Sequence, residues 1–215
     1  MFFEPSHIYH IYNQGNNHQQ TFFNRANYLY FLKKIRHHIL PFSDILAWCL
    51  MPNHFHLMVL VNKVEILMDD SEGFTWSEAL NKNPPDQCYA NAKTLNDSIG
   101  ILLRTYTRAI NKQENRSGSI FRRTTKAECI SKINEFTNAF FNTMEGGNLI
   151  VQIPEKEYLQ ECFNYIHQNP AKAGLVKNPE DWAFSSYQDY CGLRKGNLVN
   201  QKRAKEFALT IAKPG

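Results

Sequence analysis

The sequence has no long apolar run and no recognisable leader. None of its stretches reaches the roughly 20 consecutive apolar residues that a membrane-spanning helix needs. Residues 1–6 lack the basic region, the apolar region and the small-residue cleavage site of a secretory signal peptide. We therefore expect a cytoplasmic protein without a membrane partner.

Cysteine is scarce and scattered. The five cysteines are Cys49, Cys88, Cys129, Cys162 and Cys191; they are odd in number and include no C-x-x-C pair. This pattern argues against a disulfide framework and against a thiolate zinc site. The chain also lacks internal repeats and low-complexity tracts, and its 215 residues are enough to bury one sizeable core.

Neither sign of charge dominates the chain. Lys and Arg number 24 against 20 Asp and Glu, a net charge of +4, which permits nucleic-acid binding without requiring it. The basic residues are concentrated in two segments: Lys33, Lys34, Arg36, His37 and His38 in one, and Arg116, Arg122, Arg123 and Lys126 in the other. Such clusters are usually solvated faces, but they are also candidates for phosphate contacts.

Two histidines separated by one residue are the first sign of chemistry. His54 and His56 stand at the head of an apolar run, and on a strand they project to one face while Phe55 projects to the other. Neutral imidazole is a common metal ligand, so the pair can hold one ion. Alone, the pattern is more often surface decoration or a packed polar pair, and a metal site would need further ligands from elsewhere.

A second informative stretch lies at residues 161–176. On a helix, Tyr165 and Asn169 are four residues apart and share a face, whereas His167 points elsewhere. A phenol would then lie beside a carboxamide oxygen that could complete a metal site. The alternative is that Tyr165 is a buried aromatic residue and Asn169 a helix terminator before Pro170.

The order of predicted elements indicates the fold class. Strands are expected at residues 6–14, 44–50, 54–61 and 119–130, with helices at 25–40, 94–113 and 154–169; Asn24 caps the first helix, and Pro170 stops the last. The first six of these elements give the β-α-β-β-α-β pattern of an α+β, ferredoxin-like (RRM-like) antiparallel sheet with helices on one face, and the C-terminal helix carries Tyr165. The histidines would lie on the open face, where single strands of nucleic acid commonly bind.

We expect residues 1–192 to form a single domain, with an insertion at about 63–93 that consists of loops and one short helix. Residues 193–215 are expected to be a polar C-terminal tail. The aromatic-rich residues 133–144 fit no element clearly, and a break follows at 145–148.

Several motifs together resemble a known family. His54-Phe55-His56 after Met51-Pro52-Asn53, and the block from Tyr165 to Val176, are similar to the two signature blocks of the single-tyrosine HUH transposases, especially the branch of REP-associated tyrosine transposases. Supporting matches are Asn13-x-Gly15, Gly118-Ser119-Ile120-Phe121 and Trp182-x-Phe184-Ser185-Ser186-Tyr187. They span nearly the whole chain in the same order.

The resemblance implies a reaction and roles for single residues. Such enzymes cut single-stranded DNA at or near hairpins by attack of a tyrosine oxygen on a phosphodiester, which forms a 5′-phosphotyrosine bond. Carried over to this sequence, Tyr165 is the nucleophile, and His54, His56 and Asn169 hold Mg²⁺ or Mn²⁺. A phenol with a pKa of about 10 is a weak nucleophile at neutral pH, so the phosphate must be activated. The ion would do this by polarising the phosphate.

The expected partner is single-stranded DNA with a hairpin, bound by a monomer or a homodimer. Candidate DNA-binding residues are Asn13, Lys33, Arg36, Arg122, Arg123 and Lys172. The chain departs from the family in two places: the family often has Arg where Gln14 and His18 stand, and Thr124-Thr125 replaces aromatic and basic residues.

Three other functions remain open. One is a non-catalytic regulator that binds DNA hairpins, and the second is an HUH nickase that acts in replication or conjugation. The third is a hydrolytic metalloenzyme, which is disfavoured because no acidic residue at ligand spacing accompanies the histidines.

Overall fold

The computed structural model describes residues 1–67, 92–132, 137–142, 148–153 and 155–211. The strands in chain order are β1 (Ile8–Gln14), β2 (Ser43–Met51), β3 (His54–Val61), β4 (Glu65–Leu67), β5 (Ala92–Thr94), β6 (Lys126–Cys129), β7 (Thr137–Asn142) and β8 (Asn148–Ile153). The α-helices are α1 (Arg25–His38), α2 (Leu95–Gln113), α3 (Glu155–Lys172), α4 (Tyr187–Tyr190) and α5 (Gln201–Glu206).

A four-stranded antiparallel sheet forms the centre of the fold. Its strand order is β2-β3-β1-β6, and every neighbouring pair is antiparallel. The order β1-α1-β2-β3-α2-β6 along the chain is the predicted β-α-β-β-α-β pattern, so the predicted α+β fold class is confirmed. The final strand is shorter than predicted, because residues 119–125 contribute only an isolated bridge from Phe121 to Gly15.

Helix boundaries follow local capping chemistry. The side chain of Asn24 accepts a hydrogen bond from the backbone N–H of Asn27 at the start of α1, as predicted. Thr94 does the same for Asp97 at the start of α2, and the Asp97 carboxylate accepts from the Thr94 backbone in return. These caps set the residue at which each helix begins.

Alternating side chains of the sheet form two cores on opposite faces. Tyr9, Ile11 and Phe55 pack against α1 and α2, where Phe31 and Tyr106 are fully buried. On the other face, Ile8, Met58 and Leu60 pack against Cys162, Phe163 and Ile166 of α3. Each such buried side chain contributes about 1.5–3 kcal/mol.

The prediction of an open sheet face is therefore wrong. The apolar side of α3 lies over the face that carries the histidines and leaves only a cleft near one end of the strands. Because Phe163 and Ile166 of α3 are buried, this helix must pack on apolar strand residues. The pattern of the strands alone did not indicate that a helix covers this face.

The prediction that Pro170 stops the last helix is also wrong, since α3 continues to Lys172. Proline lacks the N–H that would bond to the carbonyl four residues earlier, but near a helix end this removes a single bond. The next turn keeps its hydrogen bonds, from Ala173 N to Asn169 O at 2.9 Å and from Leu175 N to Pro170 O at 3.0 Å. Gly174, at φ +68°, then ends the helix in the left-handed region.

The segment expected as a polar tail packs on the sheet over its described part. Leu198, Ala204 and Leu209 are buried, and the N–H of Asn200 donates to Ile45 O at 2.8 Å. The division of domains at residue 192 remains a prediction. Residues 133–144, which fitted no predicted element, contain β7, and β7 pairs with β8.

The motif at residues 182–187 joins α3 to β2. The Ser186 hydroxyl accepts a hydrogen bond from Trp48 N–H at 2.9 Å and lies 2.7 Å from His167 Nε2. His167 is 1% exposed and points away from Tyr165, as predicted; its contact with Ser186 was not predicted. The motif therefore fixes the position of α3.

At the predicted insertion, β4 pairs with β5. Residues 68–91, to which the predicted loops and short helix were assigned, lie outside the described part of the chain. Within the described part, no helix is both long and apolar enough to cross a membrane.

Candidate functional site

A cleft of about 640 Å³ lies between α3 and the neighbouring ends of β1 and β3. Tyr165, Asn169, His54 and His56 all line it. Gln14, His18 and Arg122 stand beside them. The four side chains predicted to form the site therefore meet in one place.

The β2–β3 hairpin positions the two histidines. His54 lies opposite Gln14 and His56 opposite Tyr12 in the pairing of β3 with β1, and the imidazole centroids are 5.0 Å apart. The hairpin turn is held by the N–H of Gly15, which donates to Asn53 O at 2.7 Å. A side chain at Gly15 would collide with the carbonyl of Gln19, which accounts for glycine in the Asn13-x-Gly15 motif.

Asn169 connects the two halves of the site. Its Nδ2 donates to His56 Nε2 at 3.3 Å, across 113 positions of sequence. Its side chain also forms hydrogen bonds with His54 and Tyr165. The rings of His56 and Tyr165 lie edge to face with their centroids 5.3 Å apart. Asn169 therefore lies between the imidazoles and the phenol.

Burial keeps both imidazoles neutral. It lowers the pKa of His54 to about 4, and that of His56 falls well below the ordinary value, with the His54 ring as a further cause. A neutral imidazole retains one lone pair, which is the form that binds a metal ion. Both rings are thus in the ligating protonation state at neutral pH.

The Nδ1 atoms of both rings have protein partners. His54 Nδ1 lies 2.6 Å from Asn53 Oδ1, and because a carbonyl oxygen only accepts, the proton of His54 is on Nδ1. His56 Nδ1 lies 2.9 Å from Nε2 of His10. A partner on the far nitrogen is typical of metal-ligating histidines, since it sets the tautomer and the ring orientation.

The donor set fits a divalent ion. In the described ranges, no group of three His, Cys, Asp or Glu side chains could hold a metal, so the candidate set is two imidazoles and one carboxamide. The amide nitrogen of Asn169 faces His56, and ligation by its oxygen requires the opposite amide orientation. Three such donors leave open positions for phosphate or water oxygens, which Mg²⁺ and Mn²⁺ prefer.

Tyr165 is half-buried and protonated at neutral pH. Burial raises its pKa above the ordinary value, and the hydrogen bond with Asn169 opposes that rise. Nearby, the Tyr12 hydroxyl donates to Glu128 Oε1 at 2.6 Å. Because the Tyr165 phenol is protonated at neutral pH, it needs assistance to lose its proton during any attack on phosphorus.

The predicted DNA-binding residues are not all brought to the cleft. Arg122 and Asn13 line it, although Asn13 is buried and its amide donates to Arg122 O at 3.1 Å and to Thr125 Oγ1 at 2.9 Å. Lys33 and Arg36 lie on α1, which packs on the opposite sheet face, and Lys172 is exposed beyond the cleft. Arg123 lies in a second groove.

Comparisons with known proteins give one similar solved structure. It is that of a REP-associated tyrosine transposase bound to a REP hairpin, with a TM-score of 0.49 and 15% sequence identity. The match covers 93% of this chain and 92% of that chain. No protein-family model and no curated protein matches the sequence.

A basic groove next to the cleft contains Arg122 and Arg123, which were predicted from the sequence, and Arg104 and Arg108, which were not. The groove has a volume of about 720 Å³, and it lies between α2 and residues 118–125. Arg104 and Arg108 line it from exposed positions one helical turn apart, together with Arg122 and Arg123. The spacing of four between Arg104 and Arg108 was the available signal. Arg122 lines both the groove and the cleft.

His10 was also missed as a member of the site. The alternation along β1 places His10 and Tyr12 on one face, but only the register of β1 with β3 brings His10 diagonally opposite His56. At the cleft, Gln14 Nε2 lies 2.8 Å from His18 Nδ1, and Arg122 Nη2 lies 3.3 Å from His18 Nε2. Arg122 thus supplies a cation beside Gln14 and His18, the two positions at which the chain departs from the family that it resembles.

Proposed function

We propose that this protein is a single-tyrosine HUH transposase of the REP-associated branch, which cleaves and rejoins single-stranded DNA at or near hairpins. The observation that carries the proposal is the meeting of Tyr165 and Asn169 from α3 with His54 and His56 from β3 in one cleft. The sequence motifs that resemble this family contain the same four residues.

The proposed reaction is an in-line displacement at phosphorus. The oxygen of Tyr165 forms a bond to the phosphorus while the bond to the 3′-oxygen breaks. The phenol gives up its proton to water, and the departing 3′-oxygen takes a proton from water to become a hydroxyl. The energy of the phosphodiester is kept in the 5′-phosphotyrosine, so attack by a 3′-hydroxyl rejoins DNA without ATP.

The residues around the phenol have separate tasks. The neutral rings of His54 and His56, with Asn169, would hold Mg²⁺ or Mn²⁺. The bound ion would supply Lewis-acid polarisation of the scissile phosphate. Asn169 also forms the hydrogen bond that opposes the rise in the pKa of Tyr165, and α3 holds the phenol beside His56 before substrate arrives.

The basic groove gives the DNA a path away from the cleft. Arg104, Arg108, Arg122 and Arg123 line it, and Arg122 joins it to the cleft. Arginine contacts with successive phosphates provide affinity without reading sequence. The hairpin specificity in this proposal rests on the family resemblance.

The test is adduct formation on a hairpin-bearing single-stranded oligonucleotide with randomised flanks. The DNA is labelled at its 3′ end, because the 5′-phosphotyrosine retains the segment 3′ of the cut. With Mn²⁺ or Mg²⁺, wild-type protein is expected to give a labelled band of protein size on a denaturing gel, and Tyr165→Phe is expected to give none. His56→Ala should also give none while it retains DNA binding.

Two outcomes would contradict the proposal. An adduct that persists in Tyr165→Phe would exclude Tyr165 as the nucleophile. Tight hairpin binding with no adduct under any divalent ion would favour the non-catalytic regulator.

A further inference from the structure

His10 makes a buried contact with one of the proposed metal ligands. Its Nε2 lies 2.9 Å from Nδ1 of His56, and the two rings stack with their centroids 5.1 Å apart at 25°. His10 is 7% exposed and His56 4%. The rings of Tyr12 and Tyr165 lie 4.8 Å and 6.1 Å from that of His10.

The hydrogen bond between these rings contains a single proton, which can have two positions. If the proton is on His56 Nδ1, the Nε2 of His56 has a free lone pair that faces the cleft. If the proton is on His10 Nε2, then neutral His56 has its own proton on Nε2 and cannot bind an ion through that atom. The position of one proton therefore determines whether His56 can be a ligand.

The surroundings of His56 favour the first arrangement. On the cleft side of the metal-free protein, before any rotation of the Asn169 amide toward an ion, the Nδ2 of Asn169 faces His56 Nε2 at 3.3 Å, and an amide N–H needs an acceptor there. The neighbouring ligand has the same tautomer, since His54 donates from Nδ1 to Asn53 Oδ1 at 2.6 Å. In that arrangement both rings present Nε2 to the same space.

We propose that His10 is a positioning residue that accepts the Nδ1–H of His56 and so holds the His56 tautomer with Nε2 free for a divalent ion. The assignment of the ion rests on the proposed function. The tautomer itself does not, because it is a property of the metal-free protein. His10 acts through His56 and touches neither the ion nor the DNA.

The first readout is the tautomer of His56, measured on metal-free protein. Long-range ¹H–¹⁵N NMR with ¹⁵N-histidine distinguishes a protonated from an unprotonated ring nitrogen, and His56→Gln assigns the signal. We expect wild-type His56 to be protonated on Nδ1 and unprotonated on Nε2. A wild-type His56 protonated on Nε2 overturns the proposal without any need for a variant at position 10.

Variants at position 10 test the cause. His10→Leu removes the acceptor and is expected to shift His56 toward the Nε2-protonated form, whereas His10→Gln keeps an oxygen acceptor and is expected to retain the wild-type tautomer. His38→Leu is the matched control, because His38 is a buried histidine of α1 on the other sheet face. A His56 signal in folded His10→Leu identical to wild type overturns the proposal.

The second readout is Mn²⁺ affinity, measured by the loss of the free-ion EPR signal in the absence of DNA. Loss of an outer-shell partner typically weakens metal binding about 10- to 100-fold, so His10→Leu should weaken it by that factor, while His10→Gln stays close to wild type. If His10→Leu binds Mn²⁺ as tightly as wild type, the link from tautomer to ion is wrong. Absence of an adduct at Tyr165 alongside the expected tautomer shifts would refute the function and leave the role of His10 intact.

Discussion

At the scale of the residue, Asn169 interacts with the three other side chains of the candidate site. It donates to His56 Nε2 and forms hydrogen bonds with both His54 and Tyr165. A single carboxamide thus has two tasks in the proposed reaction, as a ligand of the ion and as a partner of the nucleophile.

Asn169→Ala is expected to raise the Mn²⁺ concentration needed for half-maximal adduct formation by about 10-fold or more, because loss of even an outer-shell partner of a metal ligand typically costs about 10- to 100-fold in affinity. It should also raise the pKa of Tyr165 further, since the bond that opposes the rise disappears. The measurement is the rate of adduct formation against Mn²⁺ concentration. Asn164→Ala is the control, because Asn164 lies on the same helix and bonds to Gln160; an equal effect of both variants would contradict the role of Asn169.

His38 gives a prediction for stability against pH. Burial lowers its pKa from 6.5 to about 4, with Lys93 as a smaller cause, and neither ring nitrogen meets a hydrogen-bond partner among the described residues. Above pH 6.5 the ring is neutral in both the folded and the unfolded chain. Below pH 6.5 only the unfolded chain gains the proton, so His38 reduces the free energy of unfolding by up to about 1.4 kcal/mol per pH unit until about pH 4.

His38→Leu should therefore lower the pH dependence of the free energy of unfolding by close to one proton between pH 6.5 and 4. At pH 7 it should be as stable as wild type or more stable, since an unsatisfied buried polar ring is replaced by an apolar side chain. Urea denaturation at a series of pH values measures both. If the slope of the free energy of unfolding against pH were the same in His38→Leu and wild type, the pKa of His38 would not differ between the folded and unfolded states, and the prediction would be wrong.

Residue spacing placed the candidate residues on shared faces, and the family resemblance supplied their predicted roles. The alternation of strands and the helical period of four are local rules, and they paired His54 with His56 and Tyr165 with Asn169. The contact of His10 depends on strand register, which is a property of two distant segments. No pattern within β1 alone could have indicated it.

At the scale of the element, the β2–β3 turn and the loop after β1 form one unit. The N–H of Gly15 donates to Asn53 O, and the N–H of Thr21 donates to Pro52 O at 2.8 Å. These bonds hold the hairpin end beside His54. Gly15 has an ordinary φ of −60°, so the requirement for glycine there is one of space.

Gly15→Ala should lower the free energy of unfolding by about 1–3 kcal/mol, because the added methyl group meets the backbone carbonyl of Gln19. Gly100→Ala is the matched control: it lies within α2, and its added methyl group meets only the flexible end of Arg104. That variant should gain up to about 1 kcal/mol from helix propensity. Chemical denaturation measures both; equal stability of Gly15→Ala and wild type would contradict the close approach.

Helices and strands were predictable where periodicity was long and caps were present. The first residue of α1 and the full extent of β3 agree with prediction. The predicted end of α3 at Pro170 was wrong, because a proline near a helix end removes only one hydrogen bond and the rest of the turn continues. The extra pair β7 and β8 was missed because its aromatic-rich segment has no clear period.

At the scale of the whole molecule, the cleft and the basic groove are separate cavities that share Arg122 as a lining residue. The groove lies along α2, on the side of the sheet opposite α3. DNA bound there would pass around the end of the sheet to reach Tyr165.

The double variant Arg104→Ala/Arg108→Ala is expected to weaken binding of single-stranded DNA and to reduce the slope of log affinity against log salt by about 0.7 per lost phosphate contact. The measurement is made in the Tyr165→Phe background, so that cleavage plays no part. Lys202→Ala/Lys205→Ala, which removes two exposed cations of α5, is the control with the same charge change. Equal losses in both double variants would mean that net charge, and not the groove, determines binding.

The most direct test of the account is the identity of the residue that becomes bound to DNA. Wild-type protein is incubated with Mn²⁺ and the hairpin oligonucleotide, the DNA is trimmed by nuclease, and the peptides are sequenced by mass spectrometry. We expect a 5′-phosphonucleotide on the phenolic oxygen of Tyr165. A nucleotide found on any other side chain would contradict it.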